Sequence, residues 1–439
     1  MRHILTQRLT GADILGLGFM TFAFFLGAGN IIFPPLAGML AGEQVSPAMA
    51  GFLTTAVGLP LLGLFAVAKA GGGIPAMTWA LPAWIGVLIS VAIFIIIGPL
   101  IAAPRTALVA FELGVDPFMQ DSGNGQLYYS ISFFLLAAGL SLYPGKLMDS
   151  IGKVLTPLLI LLLLVLAASV LFGEPGTTAP TSERYAGGAY VQGFLEGYNT
   201  MDALASIMFG MLIIDLLKKK GIDQPGDQYR YLVIAALIAA AGLAVVYISL
   251  FLLGAGNAEL VPAAENGGQI LSAYVEQRFG FAGLLILAAV IMLACLTTAV
   301  GLLSACSDYF ASLTDQVGYS QFVVLNAVAC VLVANLDLSE LISLSIPLLV
   351  AVYPIAIALI LFSLFAGQMA YPRQALLLVL LVSAGFGLLE GYKATGGSLE
   401  ALAFLPLFEV GLAWLAPTLA VLLLFMVLNW LSPKTAPAT

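Results

Sequence analysis

The chain has 439 residues, of which 61% are hydrophobic and 9% charged, with a formal net charge of −8 and a mean hydropathy of +1.08. Soluble domains carry about 25% charged residues, so this composition excludes a water-soluble fold and points to a polytopic all-α membrane protein. The negative balance excludes a basic nucleic-acid surface, and its excess collects in connecting loops as a solvated anionic rim.

Twelve spans are predicted, starting near residues 13, 46, 80, 125, 150, 187, 229, 279, 320, 340, 374 and 409, each with room for the roughly 20 residues a spanning helix needs. Residues 1–11 form a tail. The first apolar run, Ile14 to Gly42, is too long for the core of a signal peptide and reads as a retained helix. In its middle stands Gly27-Ala28-Gly29-Asn30, followed by Ile31, Ile32, Phe33, Pro34 and Pro35. Glycine and asparagine continue a helix poorly, and at membrane depth the backbone groups they release need partners within the protein or on a solute. A discontinuous helix of this kind points to the central site of a secondary transporter, where half-helix N-termini face an anionic group and unwound carbonyls face a cation.

In the third span Arg105 follows Pro99 and Pro104. The prolines are expected to bend that helix, and Arg105 to pair with Glu112 or with a carboxylate of the sixth span. The stretch 173–186, rich in Gly, Pro, Ser and Thr, reads as an external linker. The sixth span carries Glu196-Gly197-Tyr198-Asn199-Thr200-Met201-Asp202, a second interruption. Two broken helices five spans apart suggest a repeat of five, and because five is odd the second copy is inverted. Residues 12–172 form one copy, 187–368 the other, 369–431 two additional helices and 432–439 a tail.

Asp202 near the midplane is a functional candidate by default, as a receptor for a substrate amine, a gate or a proton carrier. Capping the second half-helix is its alternative role. Glu196 reads as a shallower vestibule charge and Asp215, ahead of Lys218, as an inner-interface group. The connection 254–277 is expected to hold a short interfacial helix over 270–277. In the eighth span Ala294, Thr297, Thr298 and Gly301 share one helix face. Their hydroxyls and carbonyls offer hard oxygen ligands to a small alkali cation. The competing reading has the threonines bonding back within their own helix or joining two helices.

Cys295, Cys306 and Cys330 lie in apolar runs and read as packing residues. His3 is the only histidine, which excludes His-based metal sites and triads. The remaining enzymatic arrangement, an Asp202–Asp308 pair, lacks the flanking Gly-x-Gly-Asp of intramembrane proteases, so the chain reads as a non-enzyme without a cofactor. A channel would need a continuous polar lining, which the apolar spans do not provide. Eleven of the fifteen Lys and Arg fall on one side of the twelve-span map, against Arg184, Arg278 and Lys393 on the other. The positive-inside rule therefore puts both termini in the cytoplasm.

The run from Gly16 to Pro35, with Tyr143-Pro144-Gly145-Lys146, Gly197-Tyr198-Asn199-Thr200-Met201-Asp202 and Cys295-Leu296-Thr297-Thr298-Ala299-Val300-Gly301-Leu302, resembles the signature blocks of the bacterial branched-chain amino acid carriers, the BrnQ-type family. The resemblance implies sodium-coupled import of leucine, isoleucine and valine across the bacterial cytoplasmic membrane. It also implies the five-plus-five inverted-repeat, leucine-transporter-like fold of the amino acid, polyamine and organocation superfamily, with helices 1 and 6 discontinuous. It assigns substrate to Gly27, Ala28, Gly29, Asn30, Gly197, Tyr198, Asn199, Thr200 and Asp202. Sodium falls to the carbonyls of Ala23, Leu26 and Ala294 and the hydroxyls of Thr297 and Thr298. Proton coupling through Asp202 or Glu196 is the alternative within the same fold.

Overall fold

The computed structural model describes residues 9–118, 123–143, 148–173, 178–399 and 405–431, and every regular element among them is helical. Most of the two tails, and the Tyr143-Pro144-Gly145-Lys146 block from Pro144 on, lie outside the described residues. In chain order come α1 (Gly11–Phe25), α2 (Ala28–Ala41), α3 (Val45–Leu53), α4 (Leu59–Ala70), α5 (Ile74–Met77), α6 (Ala83–Ile95), α7 (Ala102–Gly114), α8 (Gly125–Ser141) and α9 (Thr156–Leu171). There follow α10 (Glu183–Ala186), α11 (Ala189–Glu196), α12 (Asp202–Lys219), α13 (Pro225–Gly256), α14 (Gly267–Ser312), α15 (Tyr319–Val333), α16 (Leu338–Phe365), α17 (Pro372–Ala394) and α18 (Leu415–Leu431). By length and apolarity seven helical stretches among the described residues suffice to cross a membrane, or eight when α11 and α12, bent by 42°, count as one. The chain is a multi-pass membrane protein.

Local chemistry explains the ends and kinks. Thr10 caps α1 through a reciprocal pairing with Asp13, satisfying free N–H groups of the first turn. The two prolines of the third segment do different things. Pro99 lies in the wide turn Ile96–Leu100 between α6 and α7, beside Gly98 at φ −77 and ψ −114, and marks the kink. Pro104 stands in the first turn of α7, where a missing N–H removes no helical bond, and so begins a helix rather than bending one. The helix expected over 270–277 is present as the opening of α14, set off by Gly280 at φ 64. The last helix starts at Leu415, later than the expected 409, because residues 405–414 form turns through Leu407 and Gly411, both at positive φ.

Packing draws the two interrupted regions together. α1 and α2 lie against α13 and α14, α12 lies against α4, and α7 lies against α14, so both breaks open into the middle of one bundle. α16 packs against α4 and α12 within the bundle, and α17 lies along the other side of α16. One of the tightest approaches is between α3 and α11, where a Cβ added to Gly193 would sit 1.9 Å from the Ala48 carbonyl oxygen, and one added to Gly51 would sit 1.9 Å from that of Tyr190. Glycine on both helices lets the backbones touch, as small residues do where lipid supplies no hydrophobic drive for helix association.

This contact predicts that Gly193→Ala lowers stability by about 1 to 3 kcal/mol, the cost of overpacking a closed site. Gly139→Ala, whose added methyl meets nothing within 4 Å, should leave it unchanged. Thermal unfolding of the two variants in the same detergent checks the difference.

Candidate functional site

The first interruption is short. Helix α1 stops at Phe25, Leu26 leaves helical geometry at φ −72 and ψ 80, Gly27 is extended at φ −112 and ψ −162, and α2 resumes at Ala28. Close neighbours require glycine here: a Cβ on Gly27 would lie 2.9 Å from Thr298 Cγ2, and one on Gly29 would lie 2.7 Å from Arg105 Nη2 and 3.0 Å from the Asn199 carbonyl oxygen. The second interruption runs through a tight turn over Gly197–Thr200 to Met201, at φ 63 and ψ 9. A non-glycine residue in that left-handed region costs of order 1 kcal/mol or more and persists only where surroundings enforce it. Met201 is buried to 1% exposure, which anchors the turn.

Asn30 joins the two breaks. Its Oδ1 accepts from the Gly27 N–H at 3.2 Å, and its Nδ2 donates to Asp202 Oδ2 at 2.7 Å and to Tyr247 Oη. The Tyr247 hydroxyl donates to the same Asp202 oxygen at 2.6 Å. All three side chains are at most 2% exposed. The Asp202 carboxylate is therefore bound across the bundle to α2 and α13 and does not cap its own helix. Met201 occupies the cap position, with no side-chain cap bond, and Asp202 is the first residue of α12. Capping fails because the left-handed turn puts Met201 at the cap position, one residue before Asp202, and the tyrosine and asparagine donors claim the Asp202 carboxylate.

The oxygen-bearing face of α14 meets α1. Thr297 Oγ1 donates to the carbonyls of Ala23 at 3.2 Å and Ala294 at 2.9 Å, and Thr298 Oγ1 donates to Ala23 at 3.1 Å. Ala23, Leu26, Ala294, Thr297 and Thr298 are all buried. Leu26 donates its N–H to Phe22 and precedes Gly27, which abuts Thr298. The hydroxyls thus link two helices, and that of Thr297 also bonds back within its own helix.

A cavity of about 20 Å³ lies between the breaks, lined by Gly27, Ala28, Gly29, Asn30, Arg105, Thr200, Asp202 and Thr298 with Phe24, Phe25 and Phe209. That is room for about one water. Tyr198 and Asn199 line instead a wider vestibule of about 500 Å³ that carries Glu183, Arg184, Glu196, Glu390 and Lys393, and Gly197 lines neither space, packing against Thr55 and Phe52. Tyr198 stacks on Tyr353 with ring centroids 4.0 Å apart. Glu196 is a vestibule charge, paired with Arg184 at 2.8 Å and accepting from Asn199 Nδ2 at 2.9 Å.

The pairing expected of Arg105 is replaced, and the Asp202–Asp308 pair set aside on sequence does not form. Arg105 Nη2 donates to the Asn199 backbone oxygen at 2.8 Å, while Glu112 accepts from Asn266; the kink at Pro99 sends Arg105 into the cavity. Asp308 has Asp215, not Asp202, as its carboxylate neighbour. Tyr247 and Tyr353 escaped sequence reading, since a lone tyrosine in an apolar run carries no periodic signal.

A sequence profile described as "Branched-chain amino acid transport protein" matches residues 10–432. The chain belongs to this family of branched-chain amino acid transport proteins. It is 46% identical to the branched-chain amino acid transport system 2 carrier protein of Pseudomonas aeruginosa, over 98% of this chain and 99% of that one. It is 42% identical to the branched-chain amino acid permease BrnQ of Escherichia coli, over 96% and 97%, and 38% identical to the permease BraB of Bacillus subtilis, over 95% and 94%. These relatives are named as carriers and permeases, not as enzymes. The fold is shared with MhsT in complex with L-phenylalanine, at TM-score 0.57 and 15% identity over 93% of this chain and 98% of that one. It is shared also with a Na⁺-coupled sialic acid symporter, at TM-score 0.55 and 16% identity over 98% and 91%. The family member is thus a transporter of the leucine-transporter-like fold, helical throughout its described regular elements.

The network predicts that Tyr247→Phe, which leaves the buried Asp202 carboxylate with Asn30 as its remaining side-chain donor, costs roughly 1 to 3 kcal/mol. A lowered thermal midpoint in detergent, with the protein still monodisperse, is the expected reading.

Proposed function

We propose that the protein is a sodium-coupled symporter that imports leucine, isoleucine and valine by alternating access across the bacterial cytoplasmic membrane. The observation that carries the reading is the meeting of two helix interruptions in one buried cavity, with Asn30 bonded to both sides. Its helices are read as twelve crossings with both termini cytoplasmic, the first ten forming two inverted sets of five over 12–172 and 187–368. The family relationship supports the substrate class.

In this mechanism the amino acid enters from the vestibule and its carboxylate meets N–H groups released at Gly27 to Asn30, at the positive end of α2. Its ammonium meets Asp202 and the carbonyls of the turn Gly197 to Thr200. Phe24, Phe25 and Phe209, which line the cavity, receive the branched side chain. An apolar pocket separates side chains that differ by one methylene by only about 1 to 3 kcal/mol, which explains shared use by three substrates. The small cavity must widen to admit any of them, and the turn Gly197 to Met201 with the Tyr198–Tyr353 stack is the part placed to move.

Sodium takes the oxygens of Ala23, Leu26, Ala294, Thr297 and Thr298, tying α1 to α14. It replaces hydroxyl protons as the positive partner of the Ala23 carbonyl, so the same contact is made with or without the ion but more strongly with it. By linkage, sodium raises substrate affinity by the factor with which substrate raises sodium affinity. Each inward positive charge gains about 2.3 kcal/mol per 100 mV of membrane potential.

Thr297→Ala and Thr298→Ala should each shift sodium activation of leucine uptake to higher concentration without preventing insertion, and the double variant more so. Wild-type sodium dependence in the double variant rules the site out. Replacing sodium by choline at fixed pH in proteoliposomes tests the coupling itself, and counterflow of labelled leucine separates a carrier from a channel.

Asp202→Asn keeps the size of the side chain but removes the charge that faces Asn30 and Tyr247. Leucine affinity is expected to fall while sodium dependence persists and no accumulation is driven by a pH gradient alone. Wild-type uptake kinetics in this variant would remove Asp202 from the substrate site, and sodium-free, pH-driven accumulation would assign the coupling to protons.

A further inference from the structure

Arg105 is the basic side chain that lines the cavity between the two breaks. It is 2% exposed, and of its five N–H groups one, on Nη2, is bonded to the Asn199 backbone oxygen at 2.8 Å. Its guanidinium carbon stands 5.3 Å from the centre of the Phe33 ring. Nε and Nη1 are buried without a hydrogen-bond partner. Among the described residues no carboxylate comes within the 4.0 Å of an ion pair with it. The nearest acidic group lining the cavity, Asp202, has its Oδ2 committed to Asn30 and Tyr247.

A guanidinium is always charged, and leaving its donors unpaired away from water is costly. Here a second positive feature adjoins it. A Cβ on Gly29 would lie 2.7 Å from Arg105 Nη2, so the cation presses against the first turn of α2, where free N–H groups carry the positive end of the helix dipole. Two positive features that converge on one cavity repel each other unless an anion stands between them. The planar fork formed by Nη1 and the second N–H of Nη2 matches the two oxygens of a carboxylate.

We propose that Arg105 is a substrate-binding residue that receives the α-carboxylate of the transported amino acid, with the N–H groups of the α2 first turn completing the site. The assignment rests on the transport reading above and adds to it a charged receptor on α7, opposite in sign to Asp202 across the same cavity. A zwitterion then meets a cation and an anion held apart by the protein, and compounds lacking either charge are rejected because a buried charged group would be left unpaired. A merely structural Arg105, tying the turn at Asn199 to Phe33, would need only its Nη2 contact and its ring face.

The test compares leucine with leucinamide, which keeps the amine and side chain and lacks the carboxylate, as competitors of radiolabelled leucine on purified protein. The pH is held at about 6.5, below the ordinary α-amino range, so both amines are protonated. Wild type is expected to bind leucinamide about 10- to 100-fold more weakly than leucine. Arg105→Gln should lose a similar factor for leucine and discriminate the two compounds by no more than about threefold. Arg105→Lys, which keeps the charge but not the fork, should fall between them and carries the comparison if the glutamine variant does not fold. Equal binding of both compounds by wild type overturns the proposal, as does undiminished discrimination in Arg105→Gln, or an equal loss for both compounds. Failure of wild type to bind any branched-chain amino acid overturns the transport reading instead, so the two failures are distinguishable.

Discussion

A backbone N–H or carbonyl at membrane depth has no water to turn to, and an unpaired carboxylate there is costlier still. The Asn30 amide meets both demands at once. Its oxygen takes the N–H of Gly27 at the first interruption and its nitrogen serves Asp202 at the start of α12, while Tyr247 brings the second donor from α13. Remove that amide and two buried groups lose partners together. The placement of α1, α2, α12 and α13 around one centre follows from this constraint, because three side chains of fixed reach must meet at a common oxygen.

Around that centre the bundle separates two kinds of polar group. On one side of Gly27, hydroxyls of α14 face carbonyls of α1 and Ala294, an environment of hard oxygens without formal charge. On the other side, Arg105 and Asp202 line a cavity of charged groups and aromatic walls. Gly27 lies between them, with Thr298 so close that no side chain fits there. A movement of the α1–α2 junction would therefore be felt by both.

The closure on the vestibule side is built from softer contacts. The turn at Gly197 to Met201 carries a left-handed methionine, a tyrosine stacked on Tyr353, and Asn199, whose backbone oxygen accepts from Arg105 while its side chain donates to Glu196. One residue thus links the cavity to the vestibule. Strain of order 1 kcal/mol in a turn held by neighbours is easily redistributed, in contrast to the backbone contact between α3 and α11, which no side chain can adjust.

Much of this was written in the sequence. Apolar runs defined a membrane protein with no further help, since only helices satisfy their own backbone in lipid when a chain carries long uncharged stretches. Gly27 to Asn30 and Gly197 to Asp202 could be read as interruptions because glycine, asparagine and aspartate oppose a helix whatever surrounds them, and Thr297 with Thr298 shared a helix face by periodicity alone. Partner choice was not legible. Whether Asp202 capped its helix or reached across the bundle depended on Tyr247, 45 positions further along the chain. Whether Arg105 met Glu112 or the cavity depended on the kink at Pro99, and which proline kinked the helix depended on where α7 began. Sequence determines which groups cannot remain unpaired in a membrane, because that cost belongs to each residue. Tertiary structure alone decides which of several eligible partners they take, because hydrogen bonds act over about 3 Å and that distance is set by how whole helices pack.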